Sequence, residues 1–542
     1  MIFFPPFFFE YKMKLIVIIA LLTLILPSLA LLRVNDNKMF YDERYNQEMY
    51  FHGMNVVYKV DPFYPSRDKF DPMESLCDED MQFLHDHGFN LVRLGVQFDG
   101  TYPTCGEPDT DYLDTMRDIV DDLASYGIYT IIDLHQDLLS KWFCGEGFPP
   151  CLFPSNYQDA LKMFPEPWGE DIERDEDGFP LHDACLEQPF PMYYLTVEDG
   201  KAWECLYNNC NPYQEEDFGG SPDSTEGMPL QELFLKHWSS VAETMKSSEF
   251  VLGYELLNEP WVGDTYEHLD WMVIGKESDL EHLTPLYESA INEIVKQDDA
   301  HLILYEPMLT NFEEAGFPEG GIGTDVLPQG SQQNVLSVHD YCGLVNSKMD
   351  PISQTFCDAW DELVIVDVRE RDVERLGLGA LLLTEFGAIV DEDDSAIEDL
   401  EHILSDYERH LLSFCYWQFK TYHDVTTAAG SGSEGLWSED GTLFENKLKA
   451  LSRPFPMKIS GELKSFSFDV DTSVLEVYMD PDLSVQLPSV IFTSEDLYYP
   501  TGYKVSFDPS GSGTWRTSTE TNRIEIYAQT NQAFFVRIEP DA

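Results

Sequence analysis

The chain has 542 residues and a formal net charge of −66, from 99 acidic and 33 basic side chains. This surplus of negative charge repels phosphate backbones, so no nucleic-acid partner is expected. Hydrophobic residues make up 43% of the chain, which supports a full-sized core and excludes global disorder. At this length we expect one large domain followed by a smaller one.

The N-terminus, residues 1–30, has the pattern of a secretory signal peptide. Lys12 and Lys14 precede an apolar run over residues 15–26, and Pro27-Ser28-Leu29-Ala30 follows it. This order of basic, apolar and small residues is typical of a cleaved signal. We therefore expect a secreted protein, or one in a lysosomal or digestive lumen, where low pH makes many carboxylates easier to tolerate. The alternative is an uncleaved anchor, because the apolar run nearly reaches membrane-spanning length.

Ten cysteines follow this segment, and an even number in an exported protein favours disulfide bonds. Six of them lie between Cys105 and Cys210, inclusive. Their spacing matches no zinc-binding set and no paired histidines accompany it, so neither a metal nor a cofactor is expected. The spacing does not reveal which cysteines pair.

Eight apolar runs alternate with helical patterns, which predicts an α/β fold with a parallel (β/α)8 TIM barrel over residues 31–452. The predicted strands are residues 49–58, 90–96, 128–135, 252–261, 301–305, 334–341, 380–385 and 413–419. The third connection contains a long insertion, residues 138–229, which we expect to be stapled by its cysteines on the active-site side. A tolerated surface insertion is the alternative.

Beyond this region, residues 453–542 contain short segments of alternating polarity separated by turn residues. A period of two with frequent turns predicts an antiparallel β-sandwich as the C-terminal domain.

Two glutamates, Glu259 and Glu385, each follow an apolar run. In a (β/α)8 barrel the carboxyl ends of the strands open onto the active site. Two carboxylates on that face are the arrangement that glycosidic bond hydrolysis requires. Capping groups or salt-bridge partners at strand ends are the alternative interpretation. Further polar or aromatic residues occur at equivalent strand ends, namely Arg93, His135, Asn258, His339, Tyr341 and Trp417.

This set of strand-end residues, with Pro260 after Glu259, resembles that of family-5 glycoside hydrolases of the retaining barrel clan. Within that family, the stretches GMNVVYK from Gly53 and DLHQDLLSKWFCGEGFP from Asp133, with the C-terminal sandwich, look like endoglycoceramidases. Those enzymes cut between a sugar chain and ceramide. The resemblance implies that Glu385 is the nucleophile and Glu259 the acid/base of a retaining reaction.

The resemblance also implies supporting roles. Arg93 would keep Glu385 ionised, since a guanidinium lowers the pKa of a neighbouring carboxyl. Tyr341 would donate a hydrogen bond to the same carboxylate, and Asn258 would contact the sugar 2-hydroxyl. Trp417 would stack on the sugar ring with its indole N–H free to pair. The remaining substrate-binding residues, expected to hold hydroxyl groups, are Lys59, His135, Asp137 and His339.

The expected substrate is a glycosphingolipid, glycan plus ceramide, with transient contact to a membrane or micelle surface. We expect apolar residues of the insertion to shield the ceramide chains, namely Leu138, Leu139, Trp142, Phe143 and Phe148. Three alternatives stay open: a glucosylceramidase or steryl β-glucosidase, an endo-β-1,4-glucanase, and an inactive carbohydrate-binding protein.

Overall fold

The computed structural model describes residues 32–161, 164–167, 172–272, 274–311, 313–341, 365–390, 394–422, 426 and 433–541. The predicted signal peptide, residues 1–30, lies outside these ranges, as do Cys342 and Cys357. Within them, no helix combines the length and the apolar character needed to cross a bilayer.

The described chain begins with three short strands: β1 (Leu32–Val34), β2 (Phe40–Asp42) and β3 (Gln47–Met49). The domain boundaries expected from the sequence place these residues in the barrel domain. The structure instead pairs β3 antiparallel with a strand near the C-terminus, with Met49 opposite Lys458. Strands of three residues are too short to show a period, and the partner of β3 near the C-terminus lies some four hundred residues away, so no local pattern could predict this pairing.

Eight strands then form a closed parallel barrel, which confirms the predicted TIM-barrel fold. Nearly every residue in them is buried, because barrel strands are covered on both faces. Their order around the barrel follows the chain. They are β4 (His52–Val56), β5 (Leu91–Gly95), β6 (Tyr129–Asp133), β7 (Val251–Glu255), β8 (Leu302–Tyr305), β9 (Asn334–Asp340), β10 (Ala380–Gly387) and β11 (Phe414–Trp417).

Helices lie along the chain between these strands. The helix that begins at Thr110 has a side-chain cap, since the Asp109 carboxylate accepts hydrogen bonds from the backbone N–H groups of Asp111 and Tyr112. The described helices are α1 (Asp78–Asp86), α2 (Phe98–Thr101), α3 (Thr110–Ser125), α4 (Tyr157–Ala160), α5 (His182–Cys185), α6 (Val197–Tyr207), α7 (Leu230–Met245), α8 (Lys276–Ser278), α9 (Thr284–Val295), α10 (Asp367–Leu376), α11 (Asp394–His410), α12 (Glu445–Leu451) and α13 (Glu495–Tyr498).

The insertion between β6 and β7 contains α4, α5, α6 and several 3-10 turns. Disulfides stabilise it, and they use the six cysteines whose pairing the spacing left open. The pairs are Cys105–Cys151, Cys144–Cys185 and Cys205–Cys210. Cys77 and Cys415 are the free thiols among the described cysteines, and both are buried.

The apolar residues expected to shield ceramide are instead part of the protein core. Trp142 is 3% exposed and packs against Tyr157 and Phe179, while Phe148 is fully buried between Phe98 and Phe234. The expectation that these side chains line the aglycone path is therefore wrong. Apolar residues in an insertion can either contact a ligand or form the insertion's own core. The sequence pattern is the same in both cases, so it does not distinguish them.

The C-terminal strands are all antiparallel, as predicted: β12 (Phe455–Ile459), β13 (Gly461–Asp469), β14 (Val474–Pro481), β15 (Ser489–Phe492), β16 (Tyr503–Asp508), β17 (Gly513–Thr517), β18 (Arg523–Ala528) and β19 (Phe534–Pro540). One sheet has the order β1-β2-β3-β12-β15-β18-β17 and the other β13-β14-β19-β16. Apolar residues of both sheets form one core. This domain contacts the base of the barrel where His52 stacks on Phe455, with ring centroids 3.6 Å apart.

Candidate active site

The two glutamates predicted from the sequence lie close together at the carboxyl ends of the barrel strands. Glu385 is part of β10, and Glu259 follows β7 with a left-handed backbone, φ +40°. A carboxylate oxygen of each, together with a ring nitrogen of His339, lies within a group whose atoms are at most 4.8 Å apart. Such close carboxylates favour a retaining over an inverting mechanism, since inversion needs room for a water between them. The strained φ of a non-glycine residue fits a functional position.

Arg93, in the middle of β5, connects this pair to the barrel wall. Its Nη1 lies 2.5 Å from Oε1 of Glu385 and its Nη2 lies 2.8 Å from Oδ1 of Asn258. Its Nε lies 2.5 Å from Oε2 of Glu255, and Nη2 is 3.1 Å from Oδ1 of Asp133. The guanidinium is fully buried, a position that is tolerated because several carboxylates surround it. Asn258 and Glu385 are therefore oriented by one cation.

Burial raises the pKa of Glu385, while His339 and Arg93 lower it. The contribution of Arg93 has the predicted sign, but the desolvation of a carboxyl in a closed barrel mouth outweighs it. The expected net lowering of the pKa of Glu385 is therefore wrong. Tyr341 donates its hydroxyl to Oε2 of Glu385 at 2.9 Å, as expected.

Glu259 has the protonation behaviour of a proton donor. Burial and the negative charge of Asp137 raise its pKa to about 7. Its Oε1 lies 2.8 Å from Nδ1 of His339, whose own pKa is lowered by burial to about 4, so that this ring is neutral. A carboxyl with a pKa near neutrality can both give and take a proton in one reaction cycle.

A second buried cluster of charged side chains surrounds Lys59. Asp137 and Glu146 form an antiparallel bridge that brings both carboxylates to the Nζ of Lys59, at 2.6 and 3.2 Å. The Thr426 hydroxyl donates to Asp137 at 2.8 Å. Although burial opposes it, the charges of Lys59 and His135 hold the pKa of Asp137 well below its usual range. Asp137 is thus a fixed, negatively charged hydrogen-bond acceptor at this end of the barrel.

His135 and Trp417 form one wall of the site. Their rings stack with centroids 5.3 Å apart, and Nζ of Lys59 lies 5.0 Å from the Trp417 ring centroid. The indole N–H, which was expected to be free to pair, donates a hydrogen bond to Oε2 of Glu434 at 3.1 Å. Burial opposes protonation of His135, but Asp133 outweighs it and raises the pKa to about 9.

All ten predicted site residues therefore lie at this end of the barrel, and sequence reasoning missed several further side chains. Glu306 follows β8 directly, and its Oε1 accepts the backbone N–H of Glu259 at 3.3 Å. The strand-end rule that identified Glu259 would have found it. The other missed residues lie at strand ends or in the quoted stretches, namely Asn55, Asp133, Glu146 and Glu255.

Two family models match the chain. The model described as "Cellulase (glycosyl hydrolase family 5)" matches residues 61–177 and 182–423. The model described as "Glycoside hydrolase family 5 C-terminal domain" matches residues 453–538. The first match covers most of the barrel, and the second covers the C-terminal strands.

Several similar proteins are called endoglycoceramidase. A protein from Cyanea nozakii called endoglycoceramidase is 29% identical over 90% of this chain and 89% of its own length. One of the same name from Hydra vulgaris is 28% identical over 88% and 83%. The solved structure of endo-glycoceramidase II from Rhodococcus sp. with ganglioside GM3 superposes with a TM-score of 0.70, at 18% identity, over 93% of this chain and 99% of that one. This superposition shows the shared fold.

Proposed function

We propose that this chain, which belongs to glycoside hydrolase family 5 and is a glycosidase acting on O-glycosyl bonds, releases intact glycans from glycosphingolipids. The observation that carries the proposal is the close pair of Glu259 and Glu385, with Arg93 and Tyr341 on Glu385 and His339 on Glu259. The name of the Cyanea and Hydra relatives supports the lipid substrate.

In the first step, the Glu385 carboxylate attacks the anomeric carbon and forms a glycosyl ester. The glycosidic C–O bond breaks, and Glu259 gives its proton to the departing ceramide oxygen. In the second step, Glu259 as carboxylate takes a proton from water, whose oxygen attacks the same carbon. The ester bond breaks, Glu385 regains its charge, and the sugar leaves with its original anomeric configuration.

Arg93 and Tyr341 stabilise the returning negative charge on Glu385, since both donate hydrogen bonds to its oxygens. Asn258 is held by Arg93 at Oδ1 and donates to the Gln136 carbonyl at 3.0 Å, so its amide is fixed next to the catalytic pair. Asp137, with Lys59 and Thr426, offers a negative oxygen to a sugar hydroxyl. Trp417 and His135 contribute the flat wall on which a sugar ring packs.

The ceramide requires an apolar surface, and the buried core of the insertion does not supply one. Exposed apolar side chains instead occur on the insertion and on the segment that follows Glu259, where the Tyr266 hydroxyl donates to the Leu195 carbonyl at 3.1 Å. We assign contact with a micelle or membrane to this set: Leu186, Met192, Tyr266, Leu269, Ile274 and Leu280.

Secretion, or delivery to a lysosomal or digestive lumen, is part of the proposal. The N-terminal pattern of residues 1–30 supports it, as do the three disulfides, which persist in oxidising compartments. N-terminal sequencing of protein recovered from the medium of expressing cells tests this part. A mature N-terminus near Leu31 is expected, and retention of residues 13–30 in the recovered protein would contradict it.

Product analysis tests the substrate assignment. Purified enzyme is incubated with lactosylceramide or a ganglioside in micelles, and the products are identified by mass spectrometry. We expect free ceramide and the whole glycan, with the β-anomer formed first by NMR. Glu385→Gln should release neither product, whereas the surface control Glu439→Gln should match wild type. Stepwise loss of single sugars, or activity confined to glucosylceramide, steryl glucoside or cellulose, would refute the proposal.

A further inference from the structure

Apart from the catalytic cluster, two histidines and one glutamate converge on the insertion side of the molecule. Glu204 is on α6, within the insertion, whereas His268 and His282 are on the segment that follows Glu259. We propose that these three side chains bind one divalent transition metal of the Zn²⁺ class. Bound metal would join the insertion to the segment that begins at the candidate acid/base.

The distances between the ligand atoms suit a tetrahedral ion. Nε2 of His268 lies 3.3 Å from Oε2 of Glu204, and Nε2 of His282 lies 3.8 Å from Oε1 of the same carboxylate. The three ligand atoms lie within 4.8 Å of one another. Ligands about 2.0–2.1 Å from a tetrahedral zinc are roughly 3.3 Å apart, so small side-chain adjustments complete the geometry.

The hydrogen bonding of His282 fixes the orientation of its ring relative to Glu204. Its Nδ1 lies 3.0 Å from the carbonyl oxygen of Val262. Because a carbonyl only accepts, Nδ1 carries the hydrogen of this contact, and Nε2 is the ring nitrogen directed towards Glu204, 3.8 Å from its Oε1. The contact with Val262 therefore orients the ring so that Nε2 can bind a metal ion shared with the carboxylate.

The surroundings hold each ligand in place, as second-shell partners do in metal sites. The ring of His268 stacks on Trp271 at 4.0 Å, and the ring of His282 stacks on Tyr207 at 4.4 Å. The Asn208 amide donates to Oε1 of Glu204 at 2.6 Å. The ligand side chains are 22%, 20% and 10% exposed for Glu204, His268 and His282, so a water can complete the coordination.

The donor set selects the metal. Imidazole nitrogens suit Zn²⁺, Co²⁺, Ni²⁺ and Cu²⁺, whereas Ca²⁺ and Mg²⁺ prefer sets made entirely of oxygen. This is a site that cysteine and histidine spacing could not predict, because Glu204 is separated from both histidines in the chain and only the fold brings them together.

Titration calorimetry with Zn²⁺ alone, on the full chain freed of metal with EDTA, tests the inference. We expect one equivalent to bind with a dissociation constant below about 10 µM. His268→Gln, His282→Gln and Glu204→Gln should each weaken binding by about tenfold or more. His402→Gln, a control on α11, and Glu385→Gln, which alters the catalytic cluster, should both bind Zn²⁺ as wild type does. That last variant separates this site from the proposed function.

Thermal unfolding and Co²⁺ absorption provide further tests in case some of the variants fold poorly. Zn²⁺ should raise the Tm of wild type by at least about 2 °C over EDTA, and His268→Gln, in which the substituted ring is partly exposed, should lose this rise while keeping the Tm measured in EDTA. Co²⁺ should give a visible d–d absorption in wild type that His268→Gln lacks. No saturable binding, or equal binding by the three ligand variants and wild type, would overturn the inference.

Discussion

Nδ1 of His339 lies 2.8 Å from Oε1 of Glu259, so the proposed proton donor shares a hydrogen bond with a buried neutral ring. The same nitrogen is 3.4 Å from Oε2 of Glu385. His339 therefore lies between the two carboxylates, and it holds them close without adding a fixed positive charge. The different protonation of the two glutamates then depends on their other neighbours.

The first prediction separates the roles of the two glutamates. Glu385→Gln should abolish the covalent glycosyl-enzyme, whereas Glu259→Ala should slow reactions with poor leaving groups most. With an activated aryl glycoside, azide should restore turnover to the Glu259 variant and yield a β-glycosyl azide, because the anion enters the space of the missing side chain. Formation of the β-azide by the Glu385 variant instead would reverse the assignment.

The second prediction concerns pH. Burial and Asp137 raise the pKa of Glu259 to about 7, so the protonated donor is lost as pH rises through neutrality and kcat/KM should fall above it. At low pH the rate should fall because Glu385, with a raised pKa, becomes protonated. The negative charge of Glu259 also contributes to the raised pKa of Glu385, so the midpoints of the two declines are apparent values.

A variant that lacks one of the two carboxyl groups shows which part of the pH profile of kcat/KM that group causes. In Glu259→Ala, kcat/KM for an activated aryl glycoside should still fall at low pH but should no longer decline above neutral pH. The activated leaving group departs without receiving a proton, so the variant does not depend on a protonated donor. Initial rates across the pH range on wild type and variant provide the comparison. A decline above neutrality that persists in the variant would assign that limb to another group.

The third prediction follows from the burial of the insertion's aromatic residues. Trp142→Ala and Phe148→Ala should each lower the free energy of unfolding by about 3–5 kcal/mol, because each leaves a cavity in a packed core. Activity per folded molecule should change equally for long-chain glycolipids and short aryl glycosides. Denaturant unfolding and paired kinetics measure both effects. A selective loss on long-chain substrates would restore the aglycone role that the structure contradicts.

The fourth prediction concerns the exposed apolar set. Leu269 is 66% and Ile274 45% exposed, so Ser at both positions should leave folding intact. KM for micellar glycolipid should rise about three- to tenfold, since less apolar surface reaches the lipid. Turnover of a short aryl glycoside should not change. Leu483→Ser, an equally apolar exposed position in the C-terminal domain, is the matched control, and an equal effect there would argue against a localised contact.

The fifth prediction concerns stability. Lys420 is buried with its Nζ 2.5 Å from Asp80 and 2.8 Å from the Ser75 hydroxyl. Asp80→Ala removes the balancing charge and should cost about 3–5 kcal/mol of unfolding free energy. Asp114→Ala, which breaks an exposed pair with Arg117, should cost less than about 1 kcal/mol. Comparable losses in the two variants by urea unfolding would refute the argument from burial.

Much of the catalytic end was predictable from local pattern alone. Apolar runs identify barrel strands because both faces of such strands are covered, and a polar residue at the end of the run must then lie at the barrel mouth. This rule located Glu259, Glu385 and Tyr341 without any knowledge of distances, whereas Arg93 lies in the middle of β5. It would also have located Glu306 had it been applied to the fifth strand.

The sequence by itself determined the barrel, the antiparallel C-terminal domain and the strand ends that carry the catalytic pair, because period and polarity are local properties of the chain. Only the tertiary structure decided which groups touch. The Glu385 partner of Arg93 is 292 residues away, Glu434 engages the indole of Trp417, and β3 pairs with β12. Contacts and burial depend on how distant segments pack. The direction in which the pKa of Glu385 shifts and the burial of Trp142 therefore follow from the tertiary structure.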